Sequence, residues 1–175
     1  MATLLANTAA GQRAADRLTT VNDAKAFFAT IGLDSVTVQV TDDDLSHLRH
    51  FRDRVRTILA ASTVESAVAD LNDLLREAEP LVKLDRSDLD GQWHWHLAVT
   101  SDADVIRRLQ LVVVPSLLAM ARTFGISRFR SCTTDSCTGM FVDASRGGRR
   151  RFCDPARCGN RAHVAAHRAR RNPTS

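Results

Sequence analysis

The sequence CTTDSC at residues 132–137 and the sequence CDPARC at residues 153–158 contain all four cysteines of the 175-residue chain. Each pair follows the pattern C-x4-C, and fifteen residues separate the pairs. Thiolates spaced in this way can hold one tetrahedral ion, and zinc favours such ligands. One structural zinc ion is therefore predicted, with the ligands Cys132, Cys137, Cys153 and Cys158. Two disulfides or four unrelated buried thiols are the alternatives.

The residues around the cysteines predict a hairpin and a helix. Two strand-like stretches in residues 140–152 flank the Gly-Gly pair at 147–148, which is typical of a β-hairpin carrying the two cysteine pairs. Asp154 and Pro155 suit a helix cap and a first helical position, and the Ala- and Arg-rich run to Arg171 favours a helix. A hairpin followed by a helix indicates a treble-clef-like zinc module.

A resemblance to a known family appears at the last cysteine, where residues 158–161 spell CGNR. The pattern F-x-D-x-S-R at residues 141–146 and the basic run before the third cysteine are similar to the zinc finger of the CGNR family. The resemblance covers residues 128–171, although Phe152 and His163 stand where that family usually has Trp and Lys. It implies a DNA-binding finger in a stress-related transcription regulator.

Within the CGNR motif, Gly159 would permit tight backbone geometry beside the thiolates. Asn160 and Arg161 are suited to hydrogen-bond the sulfurs or the hairpin, as groups around metal ligands often do. Arg161 is therefore equally a structural and a DNA-contacting candidate. Asp143 is a candidate partner for one of the arginines.

The first residues also resemble a family signature. Residues 4–8, LLANT, are similar to the start of the ABATE domain, which usually precedes CGNR fingers. That domain commonly has an Asp three residues before Asn-Thr, and Leu4 occupies the position here. Considered without the resemblance, the residues favour an extended segment in which Asn7 caps a turn.

Apolar residues at three- and four-residue spacing predict four helices before the zinc module. Capping residues and helix-ending residues place them at about 21–31, 42–61, 64–78 and 102–124. Pro115 should kink the fourth helix or break it in two. The polar face of the second helix is expected to be solvated, although it carries Arg49, Arg52, Arg54 and Arg56.

A β-hairpin is predicted between the third and fourth helices, with strands at residues 81–84 and 92–99 joined through the Asp-Gly turn at 90–91. Trp93, Trp95 and Leu97 alternate with two histidines, which indicates a buried tryptophan row opposite exposed histidines. His94 and His96 form a His-x-His pair that could bind a metal, but no third ligand is evident nearby.

These elements place the chain in the α+β class. We expect a mostly helical ABATE-like domain with a small β-hairpin at residues 1–127, and a CGNR zinc finger with a basic C-terminal helix at residues 128–175. A hinge is expected at residues 125–127. Residues 1–7 have no basic region followed by a long apolar one, and the apolar run near residue 110 contains arginines, so a cytoplasmic protein without membrane attachment is expected.

The charge is divided unevenly between the two parts. Residues 128–175 contain eleven Arg against three Asp, a net charge of +8, whereas residues 1–127 have a net charge of −4. This asymmetry favours a polyanion as partner. The predicted DNA-binding residues, on the hairpin and the last helix, are Arg146, Arg149, Arg150, Arg151, Arg157, Asn160, Arg161, His163, His167, Arg168 and Arg171.

On the last helix, Ala162, Ala165, Ala166 and Ala169 form a stripe expected to pack on the hairpin. His163 and His167 are four residues apart, but four cysteines make them surplus as zinc ligands.

The sequence thus predicts a bacterial-type regulator whose finger binds DNA and whose N-terminal domain senses a small-molecule effector or forms a homodimer. A zinc-stabilised protein-interaction module and a redox switch that releases zinc are the alternatives. No enzyme is expected, because four thiolates leave zinc no open position, and neither a phosphate-binding glycine loop nor a nucleophile-base-acid set is recognisable.

Overall fold

The computed structural model describes residues 1–11, 14–33, 40–87, 90–135 and 137–171. The fold is predominantly helical, with two separate two-stranded antiparallel hairpins, which confirms the predicted α+β class. A 3₁₀ turn at Gly125–Arg128 and a π-helical turn at Pro155–Gly159 complete the regular structure. The elements are α1 Ala2–Ala6, α2 Val21–Thr30, α3 Asp42–Leu59, α4 Val64–Glu77, β1 Leu81–Arg86, β2 Trp93–Ala98, α5 Val105–Phe124, β3 Phe129–Ser131, β4 Met140–Val142 and α6 Asn160–Arg171.

Side-chain caps fix where the helices of the N-terminal domain begin. Thr20 and Asp23 form a capping box at α2, because each side chain accepts a hydrogen bond from the other residue's backbone N–H. Thr41 and Asp44 form the same arrangement at α3. Thr63 caps α4 through the N–H of Ser66. The predicted starts of these three helices are confirmed because a local hydrogen bond decides each of them.

The hydrophobic core lies where α3, α4 and α5 pack together, with α1 and α2 against α3. By length and composition alone α5 could cross a membrane, and one of its faces is buried in this core. Pro115 lies inside α5 and does not divide it. The largest fully buried side chains are Phe51, Phe141, Leu5, Leu18, Leu48, Ile58, Leu71, Leu74, Leu109, Leu117, Val55 and Val105.

The arginines of α3 are not simply solvated, so that prediction is wrong. Arg52 is only 5% exposed, and its guanidinium contacts both carboxylate oxygens of Asp16 at 2.8 and 2.9 Å. Arg49 donates to the Leu18 carbonyl at 2.6 Å. Arg56 donates to the Ala6 carbonyl at 2.8 Å. These side chains tie the segment before α2 and the end of α1 to α3.

The first residues form a helix rather than an extended segment. In α1, Leu5 and Ala6 are fully buried against the core, and Asn7 is the C-cap residue of the helix. A helix of five residues is too short for periodicity to distinguish it from a strand. The extended prediction was therefore wrong, while the expectation that Asn7 lies at a cap is met.

The hairpin of β1 and β2 forms as predicted, but its tryptophans are not buried. Trp93 is 65% exposed and Trp95 is 74% exposed, and the alternating His94 and His96 are exposed as well. His94 contacts the Asp90 carboxylate at 2.9 Å, a single pair rather than a metal site. Alternation correctly separates the two faces of the hairpin, but no described element covers the face that carries Trp93 and Trp95.

Candidate metal centre

The first cysteine pair lies in the loop between β3 and β4. Phe129 pairs with Val142 and Ser131 pairs with Met140, so the strands enclose residues 132–139. The predicted hairpin around Gly147 and Gly148 is therefore wrong in its pairing: β4 is one of the expected strands, but its partner precedes Cys132. The backbone N–H of Cys132 donates to the Gly139 carbonyl at 2.8 Å and closes the loop.

The second pair is placed by the turn that precedes α6. The Asp154 side chain accepts from the Arg157 N–H at 3.0 Å, and Pro155 occupies the first position of the turn, as predicted. The N–H of Cys158 donates to the Asp154 carbonyl at 2.8 Å. Cys153 and Cys158 are thus held at the two ends of a single turn.

The four sulfurs form one compact cluster. All four lie within 4.8 Å of one another, and Cys137, Cys153 and Cys158 are separated pairwise by 3.7 Å. Sulfurs about 2.3 Å from a central zinc ion lie about 3.8 Å apart in a tetrahedron. A disulfide needs a separation of about 2.05 Å. The cluster therefore suits one structural zinc ion held by four thiolates, with no position left for a substrate or a catalytic water.

Hydrogen bonds prepare the cluster for a cation. Burial raises the pKa of Cys132, but hydrogen bonds from the backbone of Cys153 and of Thr134 outweigh burial and lower this pKa to about 6. Burial and the neighbouring thiols raise the pKa of Cys153. The Gly139 N–H also donates to the Cys137 sulfur at 3.4 Å. Cys132 therefore ionises more readily than an ordinary thiol, and a zinc ion is bound by thiolates.

Asp143 organises the loop behind the cluster from a fully buried position. Its carboxylate accepts from the Ser145 N–H at 3.0 Å and from the Arg150 N–H at 3.0 Å. The Arg130 guanidinium lies 3.8 Å away. Burial alone would raise the pKa of Asp143, but these donors, beginning with the Ser145 side chain, lower it below its ordinary value. Asp143 is thus an ion-pair partner of Arg130, outside the CGNR motif.

The Arg150 side chain is engaged inside the finger and stabilises its backbone. Its guanidinium donates to the carbonyls of Phe152, at 2.8 Å, and Cys153, and it lies over the Phe141 ring at 4.7 Å from the centroid. These bonds fix the backbone that leads into the third cysteine. Gly159 packs beside the Phe152 ring, which a Cβ at position 159 would approach to 3.4 Å.

The N-terminal domain contacts the finger directly, a connection that the sequence did not predict. The Asn7 amide donates to the Met140 carbonyl at 2.7 Å and accepts from the Met140 N–H at 2.9 Å, as a neighbouring strand would. The Thr3 hydroxyl accepts from the Val142 N–H at 3.1 Å. Arg56 reaches the Thr138 carbonyl at 3.3 Å. The Asn-Thr pair at residues 7–8, part of the ABATE signature, was the feature of the sequence that could have indicated this contact.

The predicted DNA-binding residues, apart from Arg150, are exposed. Arg157, Asn160, Arg161 and Arg168 come together along a groove of about 500 Å³ that runs over the last turn and α6. Arg146 and Arg149 lie in the loop after β4, and Arg151 lies near the Phe152 ring. His163 and His167 occupy another side of α6, together with Arg170, and Arg171 ends the helix. Contact of these residues with DNA stays a prediction.

Helix α6 projects from the finger instead of packing on it. Ala165 and Ala166 are exposed, and α6 makes its principal contacts with the π-helical turn just before it. The predicted packing of Ala165 and Ala166 on the hairpin is therefore wrong; Ala162 is half-buried, and the side chain of Ala169 lies outside the described part of the chain. Asn160 and Arg161 form no side-chain hydrogen bond to a described residue, so the expected bonds to the sulfurs are not formed. Both are free to meet a partner.

Together, the fold and the cluster define a two-part protein: a helical domain that is hydrogen-bonded to a C-terminal finger, whose four cysteines suit one structural zinc ion. The chain belongs to the ABATE family, whose sequence model matches residues 1–123 and carries the description "Putative stress-induced transcription regulator". The model of the CGNR zinc finger matches residues 128–171. Both resemblances noted in the sequence are confirmed. No curated protein matches the chain. The boundary between residues 127 and 128 stays a prediction.

Proposed function

We propose that the protein is a non-enzymatic transcription regulator of the cytoplasm that binds DNA through its zinc finger. The observation that carries the proposal is a groove over α6 and the turn before it, which three exposed arginines line. These are Arg157, Arg161 and Arg168, and no described residue forms an ion pair with them. Exposed guanidinium groups without an ion-pair partner are suited to phosphate contacts. Four free thiols agree with a reducing compartment.

The shape of α6 fits a DNA groove. A twelve-residue helix is about 18 Å long and about 10–12 Å wide with its side chains, close to the width of the major groove. Arginines on the groove side would contact phosphates, while Asn160, His163 and His167 would reach base edges. Arg146, Arg149 and Arg151 extend the basic surface from the hairpin side. Arg150 is left out of this surface because its guanidinium is engaged inside the finger.

Binding can be measured by fluorescence anisotropy with labelled genomic fragments over a salt series. The double variant Arg161→Ala/Arg168→Ala should bind more weakly and lower the slope of log K against log salt by about 1.8, which is about 0.9 for each lost phosphate contact. Arg76→Ala is the matched control, since Arg76 is 75% exposed on α4, far from the finger in sequence. Its slope should equal that of the wild type.

A fragment preference that survives at high salt would support base reading as well as phosphate binding. Absence of DNA binding by the zinc-loaded protein would refute the proposal and favour the protein-interaction module. An unchanged salt slope in the double variant would refute only the role of α6 in DNA binding. Cys153→Ser should lose zinc and DNA binding together; retained zinc and retained binding would contradict the zinc-finger assignment.

We further propose that the cleft between the two domains receives the effector. This cleft has a volume of about 1150 Å³, and its lining combines apolar side chains, such as Phe27 and Met120, with Arg17 and Arg161. Such a lining suits a small amphipathic anion. Decanoate should therefore raise the melting temperature of the wild type more than that of Arg17→Ala. Equal shifts, or no shift with decanoate, would refute this assignment.

A further inference from the structure

The hairpin of β1 and β2 has one apolar face and one polar face. In its register, Val82 pairs with Leu97, Leu84 with Trp95, and Arg86 with Trp93. Side chains of directly paired residues lie on the same face, so these pairs form one apolar surface that is interrupted only by Arg86. We call the side chains of Val82, Leu84, Trp93, Trp95 and Leu97 the tryptophan face. The alternate positions, on the other face, include Lys83, Asp85, His94 and His96.

The tryptophan face is exposed throughout. Trp93 and Trp95 are 65% and 74% exposed, and the three aliphatic members are exposed as well. Of the remaining large hydrophobic side chains found exposed in the described chain, Leu81 lies on the other face of the same hairpin, and the rest, among them Val64, Val112 and Val164, lie elsewhere. Contiguous exposure of this kind marks an interaction surface, whereas single exposed residues are ordinary.

The charge of the hairpin limits which partner can cover this face. Residues 81–98 contain two basic residues, Lys83 and Arg86, against three Asp, a net charge of −1. DNA and an anionic lipid surface both attract basic segments, so neither matches this hairpin. Arg86 itself is engaged, because its guanidinium donates to the Gly91 carbonyl at 2.8 Å. The partner is therefore expected to present an uncharged apolar surface.

The size of the face fits a second copy of the chain. Two tryptophans at these exposures leave about 300 Å² accessible, and the aliphatic side chains bring the face to on the order of 500 Å². Two such faces in contact would bury about 1000 Å² in total, which is the lower limit for a specific interface. A two-fold axis joins one patch to itself, and two stacked sheets about 10 Å apart can interdigitate their side chains.

We propose that two copies of the protein dimerise by stacking their tryptophan faces. If the two hairpins run in opposite directions, their tips and both Arg86 side chains lie at opposite ends of the interface. This inference extends beyond the proposed DNA binding, and it is measured without nucleic acid. Either proposal can therefore fail alone.

The composition of the chain provides a direct probe. Trp93 and Trp95 are the only tryptophans, and the chain contains no tyrosine, so intrinsic fluorescence excited at tryptophan wavelengths reports on this hairpin alone. Sedimentation should give twice the 19.3 kDa chain mass at high concentration. On dilution, the mass should fall to that of one chain while the emission shifts to longer wavelength, because the indoles enter water.

Two double variants separate the tryptophan face from the polar face. Leu84→Ser/Trp95→Ser should sediment as a monomer at every concentration, with wild-type zinc content and helical circular dichroism. Lys83→Ser/His96→Ser changes the directly paired residues on the opposite face and should remain dimeric. Because Trp93 remains in both, fluorescence can be compared between them.

Three results would overturn the proposal. The first is a monomeric wild type whose emission shows exposed indoles at every concentration. The second is a dimer that persists in Leu84→Ser/Trp95→Ser, which would place the interface elsewhere. The third is a monomer whose emission shifts only with phosphatidylglycerol vesicles, which would assign the face to lipid.

Discussion

Replacing Asn7 by Ala should destabilise the zinc finger, although residue 7 lies 133 positions before the strand residue that it contacts. The amide makes two hydrogen bonds to the backbone of Met140, at 2.7 and 2.9 Å, and donates to the Thr3 carbonyl at 2.8 Å. Each part-buried bond contributes about 1 kcal/mol net. The variant should therefore lose about 3 kcal/mol of unfolding free energy.

Thermal unfolding measures this loss. For a chain of this size, 1 kcal/mol corresponds to about 2–4 °C in melting temperature, so a decrease of about 6–12 °C is expected. Leu4→Ala is the matched control on the same helix, because Leu4 is 52% exposed, and it should change the unfolding free energy by less than about 0.5 kcal/mol. Asn7→Asp should be destabilised at pH 7, since a carboxylate oxygen would face two carbonyls.

The result that would refute this reasoning is equal melting of Asn7→Ala and Leu4→Ala. In that case the hydrogen bonds of Asn7 would not hold the finger against the helical domain. Faster zinc transfer to a chelator from Asn7→Ala than from Leu4→Ala would show that the destabilisation reaches the metal site.

Three further substitutions test the metal site, the buried carboxylate and a helix cap. A Cβ at Gly139 would lie 2.5 Å from a ligand sulfur, whereas the nearest atom to one at Gly147 is 3.6 Å away, so chelator competition should show weaker zinc binding in Gly139→Ala only. Asp143→Asn should lower the unfolding free energy by roughly 1–3 kcal/mol in urea titrations, because an amide nitrogen would face N–H donors; wild-type stability would contradict this. Hydrogen bonds, first that of the Thr19 side chain, lower the pKa of Asp23 from 3.8 to about 2, so Asp23 stabilises the fold above pH 3.8 and this contribution disappears as the pH falls through about 2. The stability difference between wild type and Asp23→Ala should follow that course, and a difference that does not depend on pH would exclude the carboxylate as its source.

Features with a local physical cause could be predicted from the sequence. Thr20, Thr41 and Thr63 cap helices because their side chains bond to backbone groups three residues away, which the sequence displays directly. The cysteine cluster was predictable for the same reason: the spacing within each pair limits the sulfurs to one turn or loop, and zinc accounts for both pairs together.

Features that depend on distant partners could not be predicted in this way. Strand β3 has three residues and no alternation of its own, and it pairs with β4 across the loop that holds two zinc ligands. In the sequence, Arg52 cannot be distinguished from a solvated charged residue on a helix face, because only the tertiary structure brings Asp16 beside it. Alternation separates Trp93 and Trp95 from the histidines, but only the tertiary structure determines which face is covered.

The two hydrogen bonds between Asn7 and Met140 also set an order of events during protein synthesis. At about 5–20 residues per second, a ribosome needs roughly 7–27 s to extend the chain from one residue to the other. Throughout that interval α1 lacks the strand against which it docks. The contacts of Asn7 and Thr3 with β4 can therefore form only after residue 142 has emerged, when α1 already has α3 to pack against.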